Sequence, residues 1–274
     1  MKNVAWCLGA LVTLITLSTA CKKDCKPSDP VVIHDTVTVT VPPPPGCIPN
    51  LTKGLLAYYP FNGNYNDESG NGNNATGKNG AFLTTDFLGR PNKCAGFDGV
   101  DDYLIVTGSG KLNSDTVTVS VQVMVNNANR SNTIINRVGF ETGASLVWGL
   151  GESLPSDNKY SFAVAPGTDD CSKQSSYDAS IATAANGPIV AGRWYNIVAS
   201  FANGVMKIYV DGVLQSTKTM SFTTMKKCNI ADLVIGGWWK GGVLSLDGKI
   251  DEVRIYSRLL TECELTKLNE TFTQ

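Results

Sequence analysis

Residues 116–125 read TVTVSVQVMV, and they constrain the fold more than any other part of the chain. Val117, Val119, Val121, Val123 and Val125 fall on one face of an extended strand, while Thr116, Thr118, Ser120 and Gln122 fall on the other. Side chains alternate across a strand with period two, so one face packs on a core and the other is polar or partly solvated. Residues 194–218 extend the pattern into a three-strand meander. Asn203-Gly204 and Asp211-Gly212 separate its apolar runs and carry the residue types that type I′ turns need. Further strands are expected over 55–61, 103–106, 133–137, 144–149, 160–165, 233–236 and 249–256. Thr261-Glu262-Cys263-Glu264 is a capping box that opens a short terminal helix to about residue 268. A dozen short strands with almost no helix predict an all-β, two-sheet antiparallel sandwich ending in that helix.

Composition removes several function classes. The 274 residues carry 23 Lys+Arg and 24 Asp+Glu, a net charge of −1, which leaves no electrostatic footprint for nucleic acid. The single histidine, His34, lies in a Pro-rich tract. That excludes a Ser-His-Asp triad and any His-ligated metal within the folded part.

Residues 1–20 read as an export signal: Lys2 supplies the positive start, residues 4–17 the apolar stretch, and Ser18, Thr19 and Ala20 the small residues. Leu17-Ser18-Thr19-Ala20-Cys21 resembles a bacterial lipobox of the relaxed kind seen in Bacteroidetes-type lipoproteins, with Leu one place further from the Cys than usual. The resemblance implies cleavage before Cys21 and acylation there, so that the protein is exported and lipid-anchored to the outer membrane or cell surface. Plain secretion with Cys21 unmodified is the alternative. Residues 21–50 form a tether in which Pro42 to Pro45 favour extended polyproline II. Six further cysteines in an exported chain can form disulfides, and none is spaced as a CxxC metal pair.

Several strings in the folded part, residues 51–270, look like one family. They are Ala57-Tyr58-Tyr59-Pro60-Phe61-Asn62-Gly63-Asn64, Asp67-Glu68-Ser69-Gly70-Asn71, Phe97-Asp98-Gly99-Val100-Asp101-Asp102-Tyr103, Trp194-Tyr195-Asn196-Ile197-Val198-Ala199, Ile208-Tyr209-Val210-Asp211-Gly212 and Gly248-Lys249-Ile250-Asp251-Glu252-Val253-Arg254-Ile255-Tyr256. In this order, from about Leu51 to Leu268, they resemble the laminin-G-like (concanavalin A-like lectin/glucanase) jelly roll. The resemblance implies two curved antiparallel sheets, glycan or protein binding in many relatives, and frequent Ca²⁺ binding. It also implies that the first and last strands pair, which would bring Cys47 and Cys263 into bridging reach. Cys171 and Cys228 fall in polar segments and are expected to staple two long loops.

The glucanase branch uses a strand of E-x-D-x-E type, which places two carboxyls on one face about 5–5.5 Å apart. This chain has no such string, so a non-catalytic module is expected and a glycoside hydrolase is the distant alternative. Alternation places Asp251 with Val253 and Ile255 on the core side of their strand. A buried carboxylate must be hydrogen-bonded, paired or metal-bound. Asp251 is therefore expected either to cap backbone N–H groups of a loop such as 69–74 or to hold a structural Ca²⁺ with Asp67 and Asn71. Trp148 and Trp194 sit in alternating strands and are expected in the core. Trp238 and Trp239 lie between glycine pairs in a loop, where they form either a stacking platform for a sugar ring or a plug over the sheet edge. The partner expected is a glycan, with a protein at the cell surface as the alternative.

Overall fold

The computed structural model describes residues 46–139, 145–152, 159–173, 175–176, 178–182, 188–238 and 244–273. The expected export signal, Cys21, most of the expected tether and Trp239 lie outside them. Fifteen strands are present among the described residues: β1 (Leu55–Tyr59), β2 (Thr76–Lys78), β3 (Phe82–Thr84), β4 (Cys94–Asp98), β5 (Tyr103–Val106), β6 (Val117–Val125), β7 (Thr133–Gly139), β8 (Ser145–Glu152), β9 (Tyr160–Val164), β10 (Asp178–Ala182), β11 (Trp194–Ala202), β12 (Val205–Val210), β13 (Val213–Thr219), β14 (Asp232–Ile235) and β15 (Asp247–Tyr256). One helix, α1 (Glu262–Thr273), follows, and a 3₁₀ turn covers Gly110–Leu112.

The strands form two antiparallel sheets. The first runs β13-β12-β11-β6-β15-β4-β3, with β1 also on β15; the second runs β10-β9-β8-β7-β14-β5-β2. The five valines of β6 that share a face are each essentially inaccessible to solvent and meet Ile135, Trp148, Phe162 and Leu233 of the facing sheet in one core. The two hairpin turns form as their residues require. Asn203 and Asp211 take φ of 48° and 49°, and Gly204 and Gly212 both take 78°, the left-handed pair of a type I′ turn. The capping box also forms: Thr261 N donates to Glu264 Oε2 at 2.9 Å, and Glu264 N donates to Thr261 Oγ1 at 3.3 Å. Strands β2, β3 and β4 and the strand β10 were not expected. The first two have three residues each, too few for a period to show.

The polar outer face of the first sheet is not solvated. Thr118, Ser120, Gln122, Asn196 and Ser200 are all buried. Helix α1 covers part of this face through Leu265 and Leu268 against Val198. The segment between β3 and β4 covers another part, with Thr85 O accepting from Lys249 Nζ at 3.0 Å and Phe87 edge-on to Trp194. Trp194 is therefore half-buried on the outer face rather than in the core, whereas Trp148 is a core residue.

A β-bulge overturns the expected orientation of Asp251. Asp251 pairs with Gln122 and Arg254 with Ser120, so Glu252 and Val253 together oppose Val121. Glu252 absorbs the extra residue with φ of 53°. The bulge lets Ile250, Val253 and Ile255 all join the core, and it turns Asp251 onto the outer face with Gln122.

Both disulfides expected from the sequence are present: Cys47–Cys263 and Cys171–Cys228, with Cα separations of 6.0 and 5.7 Å. Near the first, Arg258 reaches back to Asn50 O and Lys53 O, both at 2.7 Å, and pairs with Glu264. The hydrogen bonds from Arg258 hold the Glu264 carboxyl down to about 2. Cys94 is a buried free thiol, and burial with the nearby Asp251 charge pushes it up to about 12. Among the described residues no helix is long and apolar enough to cross a membrane.

Candidate ligand-binding rim

Strand directions sort the connections onto two ends of the sandwich. Asp98 pairs with Asp247, Trp194 with Met124, Lys78 with Tyr103, and Ile235 with Ile135. The β2–β3, β4–β5, β6–β7, β10–β11 and β14–β15 connections therefore gather at one end. The β14–β15 connection carries Trp238, which is half-buried.

A polar scaffold holds this rim. Arg130, between β6 and β7, donates through Nη2 to Gly99 O at 2.7 Å and Ser245 O at 3.1 Å, so one guanidinium ties three connections together. Asn132 donates to Asn127 O and Arg130 O, both at 3.1 Å, and accepts from Asp247 N at 2.9 Å. Asn126 Nδ2 donates to Asp247 Oδ1 at 2.9 Å. At the start of the Trp238 loop, Asn136 Nδ2 donates to Gly237 O at 2.8 Å. Each bond is modest on its own, but together they fix a surface that short loops could not hold by apolar burial.

Large apolar side chains stand exposed on the same rim: Val100 at 68 %, Val190 at 54 % and Leu244 at 46 %. Leu244 also holds φ of 54°, a left-handed conformation that costs an ordinary side chain roughly 1–2 kcal/mol, while its carbonyl accepts from Thr133 N at 3.0 Å. The asparagine-rich segment 126–132 reads from sequence as a plain connection. Only the fold shows it to be the hub of the rim, because Arg130 and Asn132 act on carbonyls far away in the chain.

The expected Ca²⁺ set does not fit an ion in this arrangement. Asp67 Oδ1 accepts from Tyr58 N and Ser69 N, both at 2.9 Å, and Oδ2 accepts from Asn73 N at 2.9 Å and Asn73 Nδ2 at 3.2 Å. Four donors fill the acceptor capacity of a carboxylate. Burial pushes Asp67 up, but the hydrogen bonds from Ser69, Tyr58 and Asn73 prevail and hold it below its ordinary range. Asn71 presents its amide N–H groups, not its oxygen, to Leu55 O and Leu56 O. Asp251 accepts from Glu252 N at 2.8 Å, and its charged neighbours are Glu252, Asp86 and Arg90. The loop 69–74 is thus capped by Asp67, not by Asp251.

The Asp251-Glu252 string, the nearest in sequence to the E-x-D-x-E pattern, is equally committed. Glu252 accepts from Tyr58 Oη at 2.9 Å and pairs with Arg254 at 2.6 Å, and the adjacent Asp251 is 2 % exposed. Neither presents a free carboxyl to a cleft.

The sequence profile of the concanavalin A-like lectin/glucanase superfamily, Laminin_G_3, matches residues 98–266. The chain belongs to this family. The laminin-G-like fold extends further toward the N-terminus than that match, since β1 pairs with β15. No curated protein sequence matches the chain. Among solved structures, domain 4 of AbnA, a GH43 extracellular arabinanase from Geobacillus stearothermophilus solved with arabinotriose, is similar at 22 % identity and a TM-score of 0.56, covering 78 % of this chain and 98 % of that one. The binding domain of botulinum neurotoxin DC, in complex with SialylT, is similar at 15 % identity and a TM-score of 0.56, covering 81 % of this chain. The receptor binding domain of botulinum neurotoxin D gives 16 % and 0.58. This chain spans about half the length of the toxin chains, 52 % and 54 %. At such identities the likeness establishes the fold alone.

Proposed function

We propose that this laminin-G-like chain is an exported, non-catalytic binding module that takes an oligosaccharide on the rim, anchored to the membrane through an acylated Cys21. The observation that carries the reading is Trp238, half-buried on a connection whose ends are pinned by Asn136 and Arg130. An indole held in place offers a sugar ring a flat apolar face at little entropic cost, and the neighbouring amides supply hydrogen bonds. The outer face of the first sheet, the other surface on which a sandwich can bind a chain of sugars, is partly covered by α1 and the β3–β4 segment. The committed state of Asp251 and Glu252 supports a non-catalytic role. The arabinanase domain of similar fold, solved with arabinotriose, supports a glycan as the ligand.

The exposed Val100, Val190 and Leu244 favour a second reading, a protein partner at the same rim. A glycan array followed by calorimetry on the Trp238→Ala variant separates the two. Expected is a glycan hit whose affinity falls at least tenfold in the variant while the melting temperature stays within about 2 °C, as befits a half-buried side chain. A full-length chain that binds no glycan, or a variant with undiminished affinity, overturns the oligosaccharide reading.

A further inference from the structure

At the corner of the rim, where β4 ends and β5 begins, one carboxylate oxygen from each of Asp98, Asp101 and Asp102 lies within 4.8 Å of the other two. Three carboxylates this close repel one another unless something positive joins them. Asp102 is the telling member. It is 2 % exposed, its Oδ2 accepts from Asp98 N at 3.0 Å, and its Oδ1 is buried with no hydrogen-bond partner. A buried acceptor without a donor costs about 1–3 kcal/mol, more when it is charged. The β2–β3 turn closes over it: Gly80 has φ of 127°, and a Cβ there would stand 2.9 Å from Asp102 Oδ1. A glycine keeps that side of the carboxylate clear. Asn79 Nδ2 meanwhile donates to Asp101 O at 3.0 Å, and Val100 N donates to Asp98 Oδ1 at 2.8 Å, so the loop is held without using the orphan oxygen.

We propose that Asp98, Asp101 and Asp102 form a divalent-cation site selective for Ca²⁺. Ca²⁺ accepts irregular sets of oxygen ligands at about 2.3–2.6 Å, whereas Mg²⁺ demands near-ideal octahedral geometry and gives up its waters reluctantly, so three crowded carboxylates beside backbone carbonyls suit Ca²⁺. The ion would join the ends of β4 and β5 beside the Gly99 carbonyl that Arg130 holds, and so stiffen the rim. This site is separate from Asp67, Asn71 and Asp251, and it stands whether or not the rim takes a sugar.

The test is calorimetry and thermal melting of the full chain, stripped with EDTA and titrated with CaCl₂ or MgCl₂. Expected are one saturable Ca²⁺ event and a melting temperature raised by roughly 5–10 °C at a hundredfold excess over Kd, with a smaller response to Mg²⁺. Asp98→Asn and Asp101→Asn, on the less buried members, should fold normally and lose most of the rise. Asp251→Asn should keep it. Absence of heat and of a melting shift in the unsubstituted chain overturns the proposal. So does a shift that survives Asp98→Asn and Asp101→Asn, or one that disappears only with Asp251→Asn.

Discussion

The two ends of the sandwich solve the same problem, closing loops over a core, by different chemistry. The end opposite the rim is stapled. There the Cys171–Cys228 disulfide joins the β9–β10 and β13–β14 connections. Arg137, fully buried, donates from Nε to Ser109 Oγ, from Nη1 to Asn113 Oδ1 and from Nη2 to Cys228 O at 3.0, 2.7 and 2.7 Å. Lys226 donates to Ser145 Oγ and Ser175 Oγ, both at 2.8 Å. These cations sit in the interior against neutral oxygens, and burial draws Arg137 down to about 10. The rim has neither described disulfide and no comparably buried cation among its described residues. It relies on asparagine amides and two half-buried arginines, Arg130 and Arg193, and it leaves apolar side chains in water. The lesson is a division of labour: cross-links and buried donors at one end give stability, and a lighter polar frame at the other keeps side chains available for a ligand.

Arg137→Met would test that division most severely. It takes one donor each from Ser109 Oγ, Asn113 Oδ1 and Cys228 O and removes a filled volume, which should cost about 3 kcal/mol or more. In a domain of this size that is roughly 6–12 °C of melting temperature. Ligand affinity of the protein that remains folded should be unchanged. A loss below about 1 kcal/mol, read by urea denaturation, would mean that the stapled end is not where stability resides.

Replacing Cys171 and Cys228 together by serine comes next. The bridge spans 57 residues, and its removal should cost about 2–4 kcal/mol, again with the rim's affinity intact. Binding that fell in parallel with stability would show that the two ends are coupled.

The last prediction concerns Asp251, on the strand that runs between the two ends, and is read as a pH slope. Burial, and then the Glu252 charge, push Asp251 up to about 8. The folded chain therefore keeps a proton that the unfolded chain, with an ordinary carboxylate near about 3.9, has already released. Stability should fall as pH rises from about 4 to about 8 and level off above that. Asp251→Asn should flatten the decline, seen as melting temperatures that vary less between pH 5 and pH 8 than those of the parent chain. Equal slopes in both would remove Asp251 as the source.

Much of the architecture was legible in the chain itself. The alternation of β6, the Asn-Gly and Asp-Gly turns and the Thr261–Glu264 capping box are short-range features whose physics needs no distant partner. Cys47–Cys263 could be anticipated only through the family resemblance, which implies paired terminal strands, and Cys171–Cys228 from the polarity of their segments. Asp251 was misplaced because one residue in a left-handed conformation, Glu252, shifts the period by one, and a two-residue period cannot survive an insertion. Trp194 was misplaced because alternation marks a face as apolar or polar without saying what else will cover it.

Local rules, then, determined the strands, the turns and the helix start, since these depend on neighbours within a few positions. Tertiary structure alone decided that Arg130 reaches Gly99 and Ser245, that Asp67 spends all its acceptors on one loop, and that Asp102 keeps an oxygen unpaired beside two other carboxylates. Those facts depend on which distant segments arrive at one end of two facing sheets. That is a property of the chain's path, which no single stretch of sequence contains.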